Sequence, residues 1–231
     1  RQNSAGIDLA DAESLETLNQ ERAAFQTSHW HAAPLTVSEV TSVDATVCHP
    51  AKPGDRVGTV ANIDPSCIQK VVADGQSWQA DADTRATTLE QVADSYERHR
   101  GEIVALLARE AGKSLPDCIA ELREAVDFLR YYAAETRAVG TTTPLGRVAC
   151  ISPWNFPLAI FTGQISAALA MGNAVIAKPA PQTPLIGALA IGLFHRCGVP
   201  LSALQYLPGD GAGVGAALTA CSGVDAVAFT G

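Results

Sequence analysis

From Arg147 onward the chain alternates short apolar runs with longer segments of helical period. The runs Arg147–Ile151, Ala174–Ala177, Leu204–Leu207 and Ala226–Phe229 read as strands. Leu158–Met171, Thr183–Cys197 and Gly211–Ala220 read as helices between them. No strand alternates apolar with polar positions, which is the pattern of a sheet covered on both faces. Strand–helix alternation implies parallel strands joined by right-handed crossovers, an α/β, Rossmann-like fold. Upstream, Leu89, Val92, Ala93 and Tyr96 share one face of a helix that starts at Asp83-Thr84 and runs toward Ala111, with Gly101 as its expected break. Ser114-Leu115-Pro116-Asp117 has the chemistry of a helix start, and Ile119, Leu122, Val126, Leu129 and Tyr132 form the inner stripe of a helix reaching about Val139. Earlier still, Asp11–Phe25 and Ser66–Ala73 read as short helices and His29–Leu35 as a loop. Val43–Val47 and Val57–Val60 form a hairpin across the turn at Pro50–Asp55. The chain divides into an arm or linker, residues 1–45, and one incomplete nucleotide-binding domain, residues 46–231.

Composition sharpens this picture. Of 231 residues 47% are apolar and only 17% charged, which excludes global disorder. Lys and Arg number 16 against 24 Asp and Glu, a balance of −8 that argues against a nucleic-acid partner or a polybasic membrane patch. Val148–Ala177 carries no charge, but Pro153, Asn155, Pro157, Gln164 and Asn173 interrupt it. It reads as a passage through a protein core, not a membrane span. The closest of the six cysteines, Cys48 and Cys67, are 19 residues apart, so no CxxC metal or redox motif exists. Buried free thiols in a reducing cytoplasm are expected. His29-x-His31 lacks the neighbours a metal site needs. The sequence starts at Arg1, has Met171 as its single methionine and stops just after a strand, so it reads as a piece of a longer protein.

Ligands of such sheets bind beyond the carboxyl ends of the strands. The first strand leads into Ser152-Pro153-Trp154-Asn155-Phe156-Pro157, where the Asn155 amide either caps the next helix or donates to a developing oxyanion. The second leads into Lys178-Pro179, and Lys178 is either a solvated surface lysine or a donor to ribose and phosphate oxygens. The third leads into Pro208-Gly209-Asp210-Gly211-Ala212-Gly213-Val214-Gly215-Ala216, which fits GxGxx[GA]. A dinucleotide fingerprint also wants an acid at the end of the following strand, and Ala228-Phe229-Thr230-Gly231 has none. A plain glycine-rich turn remains open there.

Taken in order, Pro153-Trp154-Asn155-Phe156-Pro157, Ala177-Lys178-Pro179, Leu207-Pro208-Gly209-Asp210-Gly211 and Phe229-Thr230-Gly231 resemble the NAD(P)-dependent aldehyde dehydrogenase superfamily. Ala108-Arg109-Glu110-Ala111-Gly112-Lys113 resembles the helix end that precedes its cofactor domain. Asn3-Ser4-x-Gly6-x-Asp8-Leu9, Glu124-Ala125-Val126-Asp127-Phe128 with Tyr131-Tyr132-Ala133, and Cys150 through Gln164 are similar, more narrowly, to the Δ1-pyrroline-5-carboxylate (glutamate semialdehyde) dehydrogenase module of the bifunctional proline utilization A family.

The resemblance implies NAD as cofactor and a small aldehyde as substrate. In that family a thiolate adds to the aldehyde, hydride passes to the cofactor, and the thioester is hydrolysed. It implies that Asn155 is the oxyanion donor and that Lys178 holds the adenosine ribose. Ile151, Ser152, Pro153 and Trp154 would line the cofactor channel. Gly211 and Gly215 would pack at the adenine end, and Thr230 and Gly231 would approach the pyrophosphate or nicotinamide end. Glu124 and Phe156 would lie toward the aldehyde. It further implies a proline dehydrogenase module in the same parent polypeptide and a homo-oligomer. Two departures stand out. Pro181 occupies the position where family members often carry a ribose-binding Glu, and none of the six cysteines has the nucleophile's context. The sequence therefore leaves two other readings: a non-catalytic nucleotide-binding or interaction fragment, and a dehydrogenase for another aldehyde.

Overall fold

The computed structural model describes residues 2–231. Helix α1 (Ala12–Ala23) starts where the Asp11 carboxylate accepts the Ser14 N–H, and Leu18 is its buried contact. Strand β1 (Trp30–Ala32), β2 (Ser42–His49) and β3 (Lys52–Ile63) form a three-stranded sheet in the order β1-β3-β2. The hairpin β2–β3 matches the expectation. Strand β1 corrects it, because this stretch reads as loop in the sequence. Three residues are too few to show a period, and the pairing that defines the strand is remote: Trp30 sits beside Gly58 and Ala32 beside Val60, in parallel.

A 3₁₀ turn at Pro65–Cys67 leads into α2 (Ile68–Asp74). Helices α3 (Ala82–Arg98) and α4 (Arg100–Glu110) replace the single helix read from the sequence. The break falls at His99, whose ring Nδ1 donates to the Ser95 carbonyl, and not at Gly101. Gly101 instead lies buried inside α4, where a Cβ would stand 2.8 Å from the Glu21 backbone carbon and Cβ of α1. This close approach explains a glycine in a helix interior. Gly101→Ala is expected to destabilise the fold by about 1–3 kcal/mol, overpacking outweighing the ~1 kcal/mol gain in helix propensity. A rise in the urea midpoint of the variant would refute it. Helix α5 (Leu115–Val139) is capped by the Ser114 hydroxyl, has Pro116 in its first turn and stops at Gly140, where φ is +75°.

The remaining elements are β4 (Arg147–Ile151), α6 (Ala159–Ala170), β5 (Ala174–Lys178), α7 (Pro184–Arg196), β6 (Leu204–Tyr206), a π-helical turn at Gly211–Gly215, α8 (Ala216–Ala220) and β7 (Ala226–Phe229). The four strands form one all-parallel sheet in the order β6-β5-β4-β7. This is the expected α/β, Rossmann-like architecture. Every residue of β5 is buried, in keeping with its unbroken apolar run. One core joins α3, α4, α5, α6 and α7 to the sheet, and a smaller one packs α2 and α8 against Ala149, Ile176 and Leu207. Leu35 exchanges both backbone hydrogen bonds with Tyr206, at 3.0 and 2.9 Å, and so ties the N-terminal region to the edge of the parallel sheet.

All six thiols are free. Only Cys118 and Cys150 are buried, Cys48 is exposed and the rest are half-buried, fewer buried thiols than the sequence suggests. Cys48 lies near the end of β2, and Cys67, Cys197 and Cys221 lie in the 3₁₀ turn or at helix ends, where position overrides the local apolar context. No helix among the described residues is long and apolar enough to cross a membrane.

Candidate active site at the carboxyl edge of the parallel sheet

Backbone pairing levels the strand ends. Ile151 stands beside Lys178 and Phe229 in register, the Ser152 N–H donates to the Lys178 carbonyl at 3.2 Å, and the Thr230 N–H donates to the Ile151 carbonyl at 3.1 Å. The fold thus gathers Ile151, Ser152, Lys178 and Thr230 along one edge.

Lys178 is 2% exposed, which settles its alternatives against a surface lysine. Its Nζ has one protein acceptor, the Pro179 carbonyl at 3.0 Å. Burial pulls its pKa down to about 8 against the opposing pull of Asp210. A Cβ at Gly215 would lie 3.5 Å from the Lys178 Cε, so the glycine turn passes directly over the lysine stem. The Ser152 hydroxyl, also buried, has no hydrogen-bond partner among the described residues. An orphaned hydroxyl and an under-occupied ammonium on one sheet edge fit a ligand rich in hydroxyl and phosphate oxygens.

The glycine-rich segment is not a single α-helix with a bare N-terminus. Gly211–Gly215 forms a π-helical turn, and the Asp210 carboxylate accepts the N–H groups of Gly213 (2.7 Å) and Val214 (3.2 Å). The same device recurs at both other crossover helices. At α6, Glu121 Oε2 accepts from Leu158 N (3.2 Å) and Ala159 N (2.8 Å). At α7, Glu110 accepts from Leu185 N (2.6 Å) and Ile186 N (2.8 Å). Each of the three helix starts on this edge already has its leading amides engaged by a carboxyl group of the chain. A bound dinucleotide therefore cannot rest its phosphates there in the manner of the ordinary Gly-rich fingerprint.

Asn155 is exposed, and its side-chain amide has no protein partner among the described residues. Glu121, not Asn155, caps α6, so the capping alternative fails and the amide is free to donate. Trp154 (56% exposed) and Phe156 (41%) flank it on the same loop. Its carbonyl accepts from Lys113 Nζ at 2.7 Å. Glu124 projects from α5 beside Asp127, Phe128 and Tyr131, so Glu124 and Phe156 are presented from different elements. A mostly apolar cavity of about 740 Å³ runs between α5, α6 and β7 and is lined by Phe128, Tyr132, Ile160, Gly163, Gln164 and Thr230 among others. Gln164 Nε2 donates to Thr230 Oγ1 across its rim at 3.2 Å. Gly211 is open to solvent, and Gly231 is exposed beside Thr230.

Sequence reasoning missed Lys113, Glu110 and Glu121 as site residues. The one available signal was an acid on the buried stripe of a helix, at Glu121 one residue from Leu122. The carboxyl of Glu110 is held at about 8 by burial, opposed by its two backbone N–H donors. Burial likewise raises that of Glu121, opposed first by the Lys113 ammonium.

Comparisons with known proteins agree with this fold. The chain is 45% identical over 240 residues to the bifunctional protein PutA of Escherichia coli, with all of this chain and 18% of that protein aligned. It is 34% identical to a 1-pyrroline-5-carboxylate dehydrogenase of Bacillus mycoides, over 84% of this chain and 42% of the relative. A crystal structure of 1-pyrroline-5-carboxylate dehydrogenase from Thermus with bound NAD superposes with a TM-score of 0.90 at 27% identity, covering 98% of this chain and 49% of that one. The chain thus spans less than half the length of each of these relatives. The aldehyde dehydrogenase family profile matches residues 37–231, and with the strand-end loops of that profile in place on one parallel sheet, the chain belongs to the aldehyde dehydrogenase family.

Proposed function

We propose that this chain is the cofactor-binding part of an enzyme that oxidises L-glutamate γ-semialdehyde, the open form of Δ1-pyrroline-5-carboxylate, to L-glutamate with NAD in proline catabolism. The observation that carries the reading is the pairing of an unpartnered Asn155 amide with a buried, under-occupied Lys178 on one sheet edge. The likeness to PutA along the whole of this chain supports the substrate. NAD, when bound, supplies the hydride acceptor. In this reading the Lys178 ammonium donates to the adenosine ribose, and the orphaned Ser152 hydroxyl gives a second donor. Ile151, Pro153 and Trp154 wall the channel. Gly211 and Gly215 leave room at the adenine end, and Thr230 and Gly231 face the pyrophosphate or nicotinamide end. The Asn155 amide donates to the oxygen that becomes negative when a thiolate attacks the aldehyde. Glu124 and Phe156 contact the aldehyde's body. Cys118 and Cys150 are unsuited as nucleophiles, since burial pushes both thiols up to about 12. The nucleophile comes from other residues of the parent polypeptide.

We assign residues 46–231 to the NAD-binding domain and residues 1–45 to an arm, which the Leu35–Tyr206 pairing ties to the sheet. The parent polypeptide also carries a proline dehydrogenase module, works as a homo-oligomer and resides in the cytoplasm.

The test is a substrate panel on the full-length polypeptide with NAD+, alongside calorimetric titration. Glutamate semialdehyde should give the highest kcat/KM. A higher value for another aldehyde would overturn the substrate assignment, and absence of NAD+ binding would leave only an interaction role. Lys178→Met should raise the NAD+ Kd about tenfold or more, a charged hydrogen bond being worth about 1.5–3 kcal/mol. Affinity in the parent should also weaken as pH climbs through about 8, where Lys178 loses its proton.

A further inference from the structure

Gly112, at φ +66°, turns the chain out of α4 and delivers Lys113 to the loop that follows β4. There the Lys113 ammonium does three things. It pairs with Glu121 Oε1 at 2.9 Å, donates to the Asn155 carbonyl at 2.7 Å and stands 4.8 Å from the centre of the Phe156 ring. The Glu121 side chain is 1% exposed. Its other oxygen holds the backbone N–H groups of Leu158 and Ala159. One ion pair therefore holds the chain at two points just after the Asn155 side chain, at its own carbonyl and three to four residues further on. Pro157 stiffens the span between, and Pro153 stiffens the approach to Asn155. The amide itself has no partner among the described residues.

We propose that Lys113 and Glu121 are positioning residues that aim the Asn155 amide at the reacting oxygen; the catalytic side of this rests on the function proposed above. In this reading both act through the Asn155 loop and make no contact of their own with substrate or cofactor. A donor misplaced by about 1 Å costs on the order of a hundredfold in rate, so the clamp acts on kcat and leaves cofactor binding alone.

The test uses the full-length polypeptide, as wild type, Lys113→Met and the double variant Lys113→Met/Glu121→Gln. The side-chain oxygen of the introduced glutamine still accepts from the α6 amides and leaves no uncompensated charge, so the double variant keeps the stability that the single one partly loses. Three quantities are read: kcat with glutamate semialdehyde, Kd for NAD+, and hydrogen exchange of the peptide covering residues 152–160. Both variants should lose about tenfold to a hundredfold in kcat. The NAD+ Kd should stay within about twofold, and exchange should accelerate only in that peptide. The double variant should regain the wild-type thermal midpoint without regaining kcat, a split that a merely structural pair would not produce. Wild-type kcat in the folded double variant overturns the proposal, as does unchanged exchange at residues 152–160. If the wild type oxidises no aldehyde, the functional reading fails by itself. The exchange data then decide the clamp, unchanged protection refuting it and local loss of protection sustaining it.

Discussion

Replacing Asn155 with alanine in the full-length polypeptide is expected to lower kcat by about 10²–10³-fold, the usual cost of losing one oxyanion donor. The thermal midpoint should hardly move, because Asn155 is exposed and its amide has no partner among the described residues. The NAD+ Kd should also hold, because the proposed ribose donor is Lys178 on the next strand. Loss of rate without loss of stability or cofactor affinity separates a chemical role from a structural one. Single-turnover measurement of NADH formation gives the cleanest reading. A drop of less than about fivefold would remove the amide from the oxyanion site.

Replacing Glu110 with alanine is expected to cost about 3–5 kcal/mol of stability, which is a large part of a typical domain's 5–15. The carboxylate is 3% exposed and holds the first two amides of α7. Without it two buried N–H groups lose their acceptor, each worth about 1–3 kcal/mol, and a small cavity opens. Equilibrium urea denaturation measures this, and a loss under about 1 kcal/mol would mean that water replaces the carboxylate freely. The same residue sets a pH dependence. Its folded pKa is about 8 against 4.5 for the free group. Below 4.5 both folded and unfolded states carry the proton, and stability is at its full value. Between 4.5 and about 8 only the unfolded state releases it, so stability drains by a few kcal/mol as pH rises. Glu110→Gln should flatten that slope.

Much of this was legible in the chain. Arg147–Ile151 and Ala226–Phe229 are strands with the limits their apolar runs suggest, because flanking Gly, Pro and Asp punctuate them. Asn155 and Lys178 were visible as chemistry at strand ends. The misses share one cause, which is partners distant in sequence. Trp30–Ala32 is a strand only because Gly58–Val60 lies beside it. Gly101 looked like a helix breaker because nothing local reveals that α1 presses on it. Glu110 lies 75 residues from the amide it holds and Glu121 lies 37 from Leu158, so nothing local showed what either would hold. Asp210 is the instructive middle case. Its contacts are local, but the glycines around it suggested an open phosphate cradle, and the structure shows the cradle filled by Asp210 itself.

The strand order carries a kinetic consequence. Val148 pairs with Ala226, so β4 gains its second neighbour only when β7 arrives from beyond both β5 and β6. Contacts so remote in the chain close slowly. At translation rates of about 5–20 residues per second, the apolar edge of β4 waits roughly 4–15 s on the ribosome before its partner is made. During that wait it is an uncovered strand edge of the kind that pairs with other chains. Recovery from denaturant should therefore fall steeply with protein concentration, and co-synthesis with a chaperone should raise soluble yield without changing the stability of the folded molecule.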